Sequence, residues 1–141
     1  DTTDQTVTGS SGSFQDVKYN TNAIINGWTH TTGGSNQNFV CNQTGIYDVT
    51  YVAQIQTTIK VPQEVSMREV LNGTEISGSQ FVITDQAVNT PRIWSTRFLV
   101  SINNGDILKI QIAIDVTGAG TQLAAGEGFG TVRSSTRIVI V

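Results

Sequence analysis

Between Gly45 and Gln56 the side chains alternate with a period of two, and no other stretch limits the fold as tightly. Tyr47, Val49, Tyr51, Ala53 and Ile55 form one face, and Ile46, Asp48, Thr50, Val52, Gln54 and Gln56 form the other. An almost wholly apolar face opposite a mixed one predicts a β-strand with one side on a core. The preceding Asn42-Gln43-Thr44-Gly45 has turn composition and predicts a sharp start to that strand. The inward tyrosines bury large areas while each hydroxyl needs a partner, so they fix register as well as packing.

The same period recurs further on. Trp94, Thr96, Phe98, Val100 and Ile102 share a face, with Ser95, Arg97 and Ser101 opposite. That strand ends at Asn103-Asn104-Gly105-Asp106. A partner is expected at once, with Leu108, Ile110, Ile112 and Ile114 inward and Lys109, Gln111 and Asp115 outward. Val65 to Leu71 predicts a strand with Val65, Met67 and Leu71 on one face, leading into Asn72-Gly73 and then Thr74-Glu75-Ile76. An Asn-Gly pair between two strand-like runs is a strong hairpin signal. Shorter strands are expected around Val17, Tyr19 and Ala23-Ile24-Ile25, at Phe39-Val40-Cys41, and from Gln80 to Thr84. Gly118 to Gly130 reads as a glycine- and alanine-rich connection. The closing Ser135-Thr136-Arg137-Ile138-Val139-Ile140-Val141 is apolar on both faces, so it is expected inside a sheet, since at an edge it would template aggregation.

About ten short strands, frequent turn signals and no convincing helix predict an all-β antiparallel sandwich or barrel. Residues 1–13 are polar with two glycines and predict a flexible lead-in or neck from a longer chain, ahead of a folded unit at 14–141.

Composition narrows the function. Only 13% of residues are charged, against about 25% in an average globular domain. The balance is Thr, Ser, Asn, Gln and Gly, giving a neutral surface rich in hydroxyls and amides. The eight cations are scattered and the net charge is −3, so no basic stripe for nucleic acid exists. The lone Cys41 excludes an internal disulfide framework and is expected to be a buried thiol. No run is long enough for a membrane span, so membrane insertion is not expected.

Evidence for chemistry is thin. Gly126-Glu127-Gly128-Phe129-Gly130-Thr131-Val132 is one residue short of a kinase-type phosphate loop and reads as an interstrand loop. His30 is the single histidine, with no ligand spacing around it and no nucleophile elbow in the chain. Glu64 with Glu69, or Glu75 with Asp85, are possible carboxylate pairs, more simply read as surface charge. Asp85, Asp106 and Asp115 lie near strand ends, where turn carbonyls could complete a calcium site; surface charge is again the simpler reading. No catalytic residue, metal or cofactor is expected. Trp28 and His30 are candidates for an exposed binding loop.

The order of blocks carries a resemblance. Phe39-Val40, then Gly45-Ile46-Tyr47-Asp48-Val49-Thr50-Tyr51, then Leu71-Asn72-Gly73, then Thr96-Arg97-Phe98-Leu99-Val100-Ser101-Ile102-Asn103-Asn104-Gly105-Asp106-Ile107-Leu108-Lys109-Ile110, then the terminal β-branched run, resemble the tumour necrosis factor and complement-type globular head. The resemblance covers Phe39 to Val141 and implies a ten-strand jelly roll that assembles as a compact homotrimer. Gly45, Tyr47, Gly105 and Asp106 become structural positions. Tyr47, Val49, Tyr51, Trp94, Phe98, Ile110, Ile112, Ile138 and Ile140 become the expected core and subunit interface. Within that family, the lack of disulfides and the Ser/Thr/Asn surface resemble microbial heads more than vertebrate cytokines. The expected function is a non-enzymatic head on a surface spike or fibre. Its expected setting is the virion surface, at a phage or viral vertex, attached through a shaft or capsid-anchoring region of the same chain. The expected partner is a host-surface receptor or glycan. Alternatives are the head of a collagen-like spore-surface glycoprotein, extracellular on the spore, and a jelly-roll carbohydrate-binding module.

Overall fold

The computed structural model describes residues 4–22, 25–59, 62–116, 120–124 and 136–141. Twelve strands occur among them: β1 (Gln5–Thr6), β2 (Gln15–Asp16), β3 (Trp28–His30), β4 (Phe39–Cys41), β5 (Gly45–Thr57), β6 (Gln63–Leu71), β7 (Thr74–Glu75), β8 (Phe81–Asp85), β9 (Arg92–Ile102), β10 (Ile107–Ile114), β11 (Thr121–Leu123) and β12 (Thr136–Ile140). Every strand pairing is antiparallel, and the strands form two sheets.

The first sheet is built on β5. Along one side β9 pairs with it from Gly45↔Ile102 to Ile55↔Arg92. Along the other lie β12, opposite Val49 to Ala53, and β11, opposite Ile55 to Thr57. β11 and β12 therefore lie in line along the same side of β5. β1 adds outside β11. In the second sheet β10 has β6 on one side and β4 and β2 in line on the other, with β3 beyond β4. β7 and β8 pair with the far side of β6.

The two sheets face each other through the odd-numbered side of β5. Val49, Tyr51, Ala53 and Ile55 are buried there against Val65 and Met67 of β6, Leu108, Ile110, Ile112 and Ile114 of β10, and Ile102 and Leu123. The Asn72-Gly73 signal produces the two-residue hairpin it predicts, Leu71 pairing with Thr74. Both turn residues have positive φ, 51° and 84°, the backbone that best matches strand twist and that Asn and Gly tolerate. Cys41 is buried and free.

The structure corrects three expectations. β10 is not the hairpin partner of β9: the turn at Asn103–Asp106 carries the chain from one sheet to the other. Asp106 stabilises that turn by accepting from the Asn103 N–H (2.8 Å) and from Asn72 Nδ2 (2.7 Å). These hydrogen bonds hold its carboxyl below the usual range. β12 has one paired neighbour, β5, among the described residues, rather than lying inside a sheet. Finally, residues 5–7 are packed rather than a loose lead-in. β1 pairs with β11, and Val7 is buried in the core. Two amides add to this: Gln5 donates to the Lys18 carbonyl and accepts the Lys18 N–H, while Gln15 does the same toward Thr6 and Thr8. In the expected strand region at Ala23-Ile24-Ile25, Ala23 and Ile24 lie outside the described residues. So does the glycine-rich Gly126 to Val132.

Candidate association surface

The even-numbered side chains of β5 from Ile46 to Val52 lie on the side away from the core, as do the odd-numbered ones of β9 and β12, whereas Gln54 and Gln56 further along β5 are buried within the subunit. Reading across the first sheet, Ile46 lies opposite Ser101. In the next row Asp48 has Leu99 on one side and Val141 on the other, the latter through main-chain bonds of 2.9 and 3.0 Å. Then Thr50 lies between Arg97 and Val139, Val52 between Ser95 and Arg137, and Gln54 beside Ile93. Ile46, Ile93, Leu99 and Val141 are more than 70% exposed, and Val139 is 46% exposed. Scattered exposed aliphatics are ordinary, but several on one sheet face make it a candidate association surface.

A charge pair sits within this face. Arg97 Nε donates to both carboxylate oxygens of Asp48 at 2.9 Å, and Nη2 donates to Oδ2. The bidentate contact holds the Asp48 carboxyl below its ordinary range and the Arg97 guanidinium above its own. Each charge already has its partner within the subunit, so a second molecule can cover the pair without stranding either.

The nine residues expected for core and interface all lie on the inner side. Val49, Tyr51, Ile110 and Ile112 are fully buried, and Tyr47, Trp94, Phe98, Ile138 and Ile140 are partly buried against them. The exposed aliphatics escaped the sequence reading, although the signal was present: Ile93 and Leu99 share the Ser95-Arg97-Ser101 face, and Ile46 shares the mixed face of β5.

Trp28 and His30 do not form an exposed loop. Both lie on β3 at 7% exposure, because alternation along that short strand points them inward and leaves Thr29 outside. Trp28 packs edge-on against Tyr47 with centroids 5.0 Å apart, and His30 stacks on Phe39 at 4.4 Å. Asn22 Oδ1 and the Asn36 carbonyl flank the two His30 ring nitrogens at 2.5 and 2.9 Å.

The carboxylates are dispersed. Glu64 is exposed while Glu69, on the opposite face of the same strand, is fully buried. Glu75 pairs with Arg68 at 2.8 Å, and buried Asp85 lies 3.5 Å from Arg92. Asp115 accepts from Gln63 Nε2 and from the Glu64 N–H. Among the described residues no three His, Cys, Asp or Glu side chains gather as metal ligands. A polar groove of about 830 Å³ runs past Thr6, Phe14, Asp16, Lys18, Asn36 and Gln37.

Comparison with known proteins places the fold. No family model matches the chain, and no curated protein matches it. Among solved structures, murine APRIL is similar at 13% identity with a TM-score of 0.50, covering 84% of this chain and 87% of that one. Eiger TNF from S. frugiperda is also 13% identical, with a TM-score of 0.42 over 92% and 97% of the two chains. The chain has an all-β, tumour necrosis factor-like jelly-roll fold.

Proposed function

We propose that this chain is the non-enzymatic, homotrimeric head of a surface spike or fibre, presenting its loops to a receptor or glycan on a host surface. The favoured setting is a phage or viral vertex, on the virion exterior. The observation that carries this reading is the outer face of β12, β5 and β9, with Ile46, Ile93, Leu99, Val139 and Val141 facing solvent in a lone subunit. Burying a large aliphatic side chain contributes about 1.5–3 kcal/mol, so five per subunit drive association strongly. Three copies, rather than two, follow from the head-type resemblance, and ring closure leaves no unsatisfied face. The low charge and the hydroxyl- and amide-rich surface support the microbial setting.

Light scattering on the purified chain should give three times the subunit mass of 15.1 kDa. A single-subunit mass at micromolar concentration overturns the proposal and favours a monomeric carbohydrate-binding module.

A further inference from the structure

Glu69 occupies an unusual place for a carboxylate. Alternation along β6 puts it on the inward side with Val65 and Met67, and it is wholly screened from solvent. Ile110 of β10 is its cross-strand partner. Ser79 fastens the main chain at this residue, its Oγ accepting the Glu69 N–H at 3.1 Å and donating to the Glu69 carbonyl at 3.2 Å. Among the described residues neither carboxyl oxygen meets a donor in hydrogen-bonding geometry, and neither does the Tyr51 hydroxyl.

The titratable groups coupled to Glu69 come from three directions. Tyr51 contributes from β5, Tyr19 from the segment after β2, and Glu75 from β7. None of these brings positive charge. The nearest cations in sequence and register point the other way. Arg68 pairs with Glu75, donates to Gln111 and stacks over Phe14 at 3.7 Å, while Lys109 pairs with Asp16. Among the described residues an ionised Glu69 is therefore a buried charge without a counter-ion, the state a protein interior tolerates least, whereas the protonated acid is merely a buried polar group.

We propose that Glu69 is a proton-linked latch in the core, the head packing tightly while the carboxyl holds its proton and loosening around β6 when it is released. Burial is the main cause that raises this carboxyl, to about 7, and Glu75 adds to the rise; the nearby dipoles of the Ser79 hydroxyl and the Glu69 N–H, which bond to each other rather than to the carboxyl, offset part of it. The folded value lies above the ordinary 4.5, so the stabilisation is fully present below about 4.5 and is lost as pH climbs through about 7. The head is thus stronger in acid, the reverse of the usual behaviour of a salt-bridged carboxylate.

Urea unfolding of the unmodified chain and of Glu69→Gln, from about pH 5 to about pH 9, tests this. The folded-to-unfolded ratio of the unmodified chain should drop on the order of a hundredfold more than that of the variant over this window. Parallel pH profiles overturn the proposal. Should Glu69→Gln fail to fold, infrared spectroscopy of the unmodified chain decides. A protonated carboxyl band persisting near pH 6 and vanishing reversibly above neutrality supports the latch, and its absence at pH 6 overturns it.

Discussion

Replacing Leu99 and Val139 together by aspartate should turn the proposed trimer into folded single subunits of 15.1 kDa. Both side chains leave the first sheet on its outer face, at 72% and 46% exposure, so neither substitution disturbs the core. In an isolated subunit the cost is small: Leu99→Asp faces Asp48 across the strands, a like-charge pair of about 1 kcal/mol or less that Arg97 beside it offsets in part. In the assembly each new carboxylate is enclosed against apolar surface, at a cost of several kcal/mol per buried charge, repeated in every copy. Circular dichroism should therefore be unchanged while the sedimenting mass falls to one third. A double variant that still sediments as three copies would show that this face is not the subunit contact.

Ile112→Ala should behave in the opposite way. Ile112 is fully buried on β10, with Met67 as its cross-strand partner on β6 and the core-facing side of β5 across the sandwich. Truncation removes transfer energy and leaves a cavity that packed sheets cannot close, costing about 2–5 kcal/mol. The urea midpoint should fall accordingly, while the subunits that remain folded keep the association state of the parent. An unchanged midpoint would mean that the two sheets do not meet at this residue.

The contrast between these variants reflects what residue pattern can and cannot convey. The inner face of β5 was legible because five apolar residues alternate without interruption, and the Asn72-Gly73 hairpin because only a few residue types tolerate two consecutive positive-φ positions. The relation of β9 to β10 was not legible. Asn-Asn-Gly-Asp composition says that the chain turns, but not whether it returns to the same sheet. β1 was hidden for a different reason. It is a two-residue strand held by main-chain pairing and amide clips, and such contacts leave no hydrophobic period. Glu69 read as surface charge because its charge was weighed above its place in the alternation, although Val65, Met67 and Leu71 on the same face already pointed it inward.

The association surface was half legible. Alternation separated the two faces of β5 and β9 correctly, and the inner face had the stronger apolar signal. The outer face carries its aliphatics among Ser95, Arg97 and Ser101, a mixture that resembles ordinary solvent-facing sheet. Only with β12 set beside β5 do Val139 and Val141 join Leu99 and Ile46 as one surface. In the proposed assembly the exposed second face of the last strand has a physical role, as part of the surface that meets another subunit.

The central claim is that identical copies meet through this face. The direct measurement is an isotope-filtered nuclear Overhauser experiment on a sample mixed from two differently labelled pools of the chain, unfolded and refolded together. Cross-subunit contacts should connect the methyl groups of Ile46, Leu99, Val139 and Val141. Cross-subunit contacts confined to other surfaces, or none at all, would contradict it.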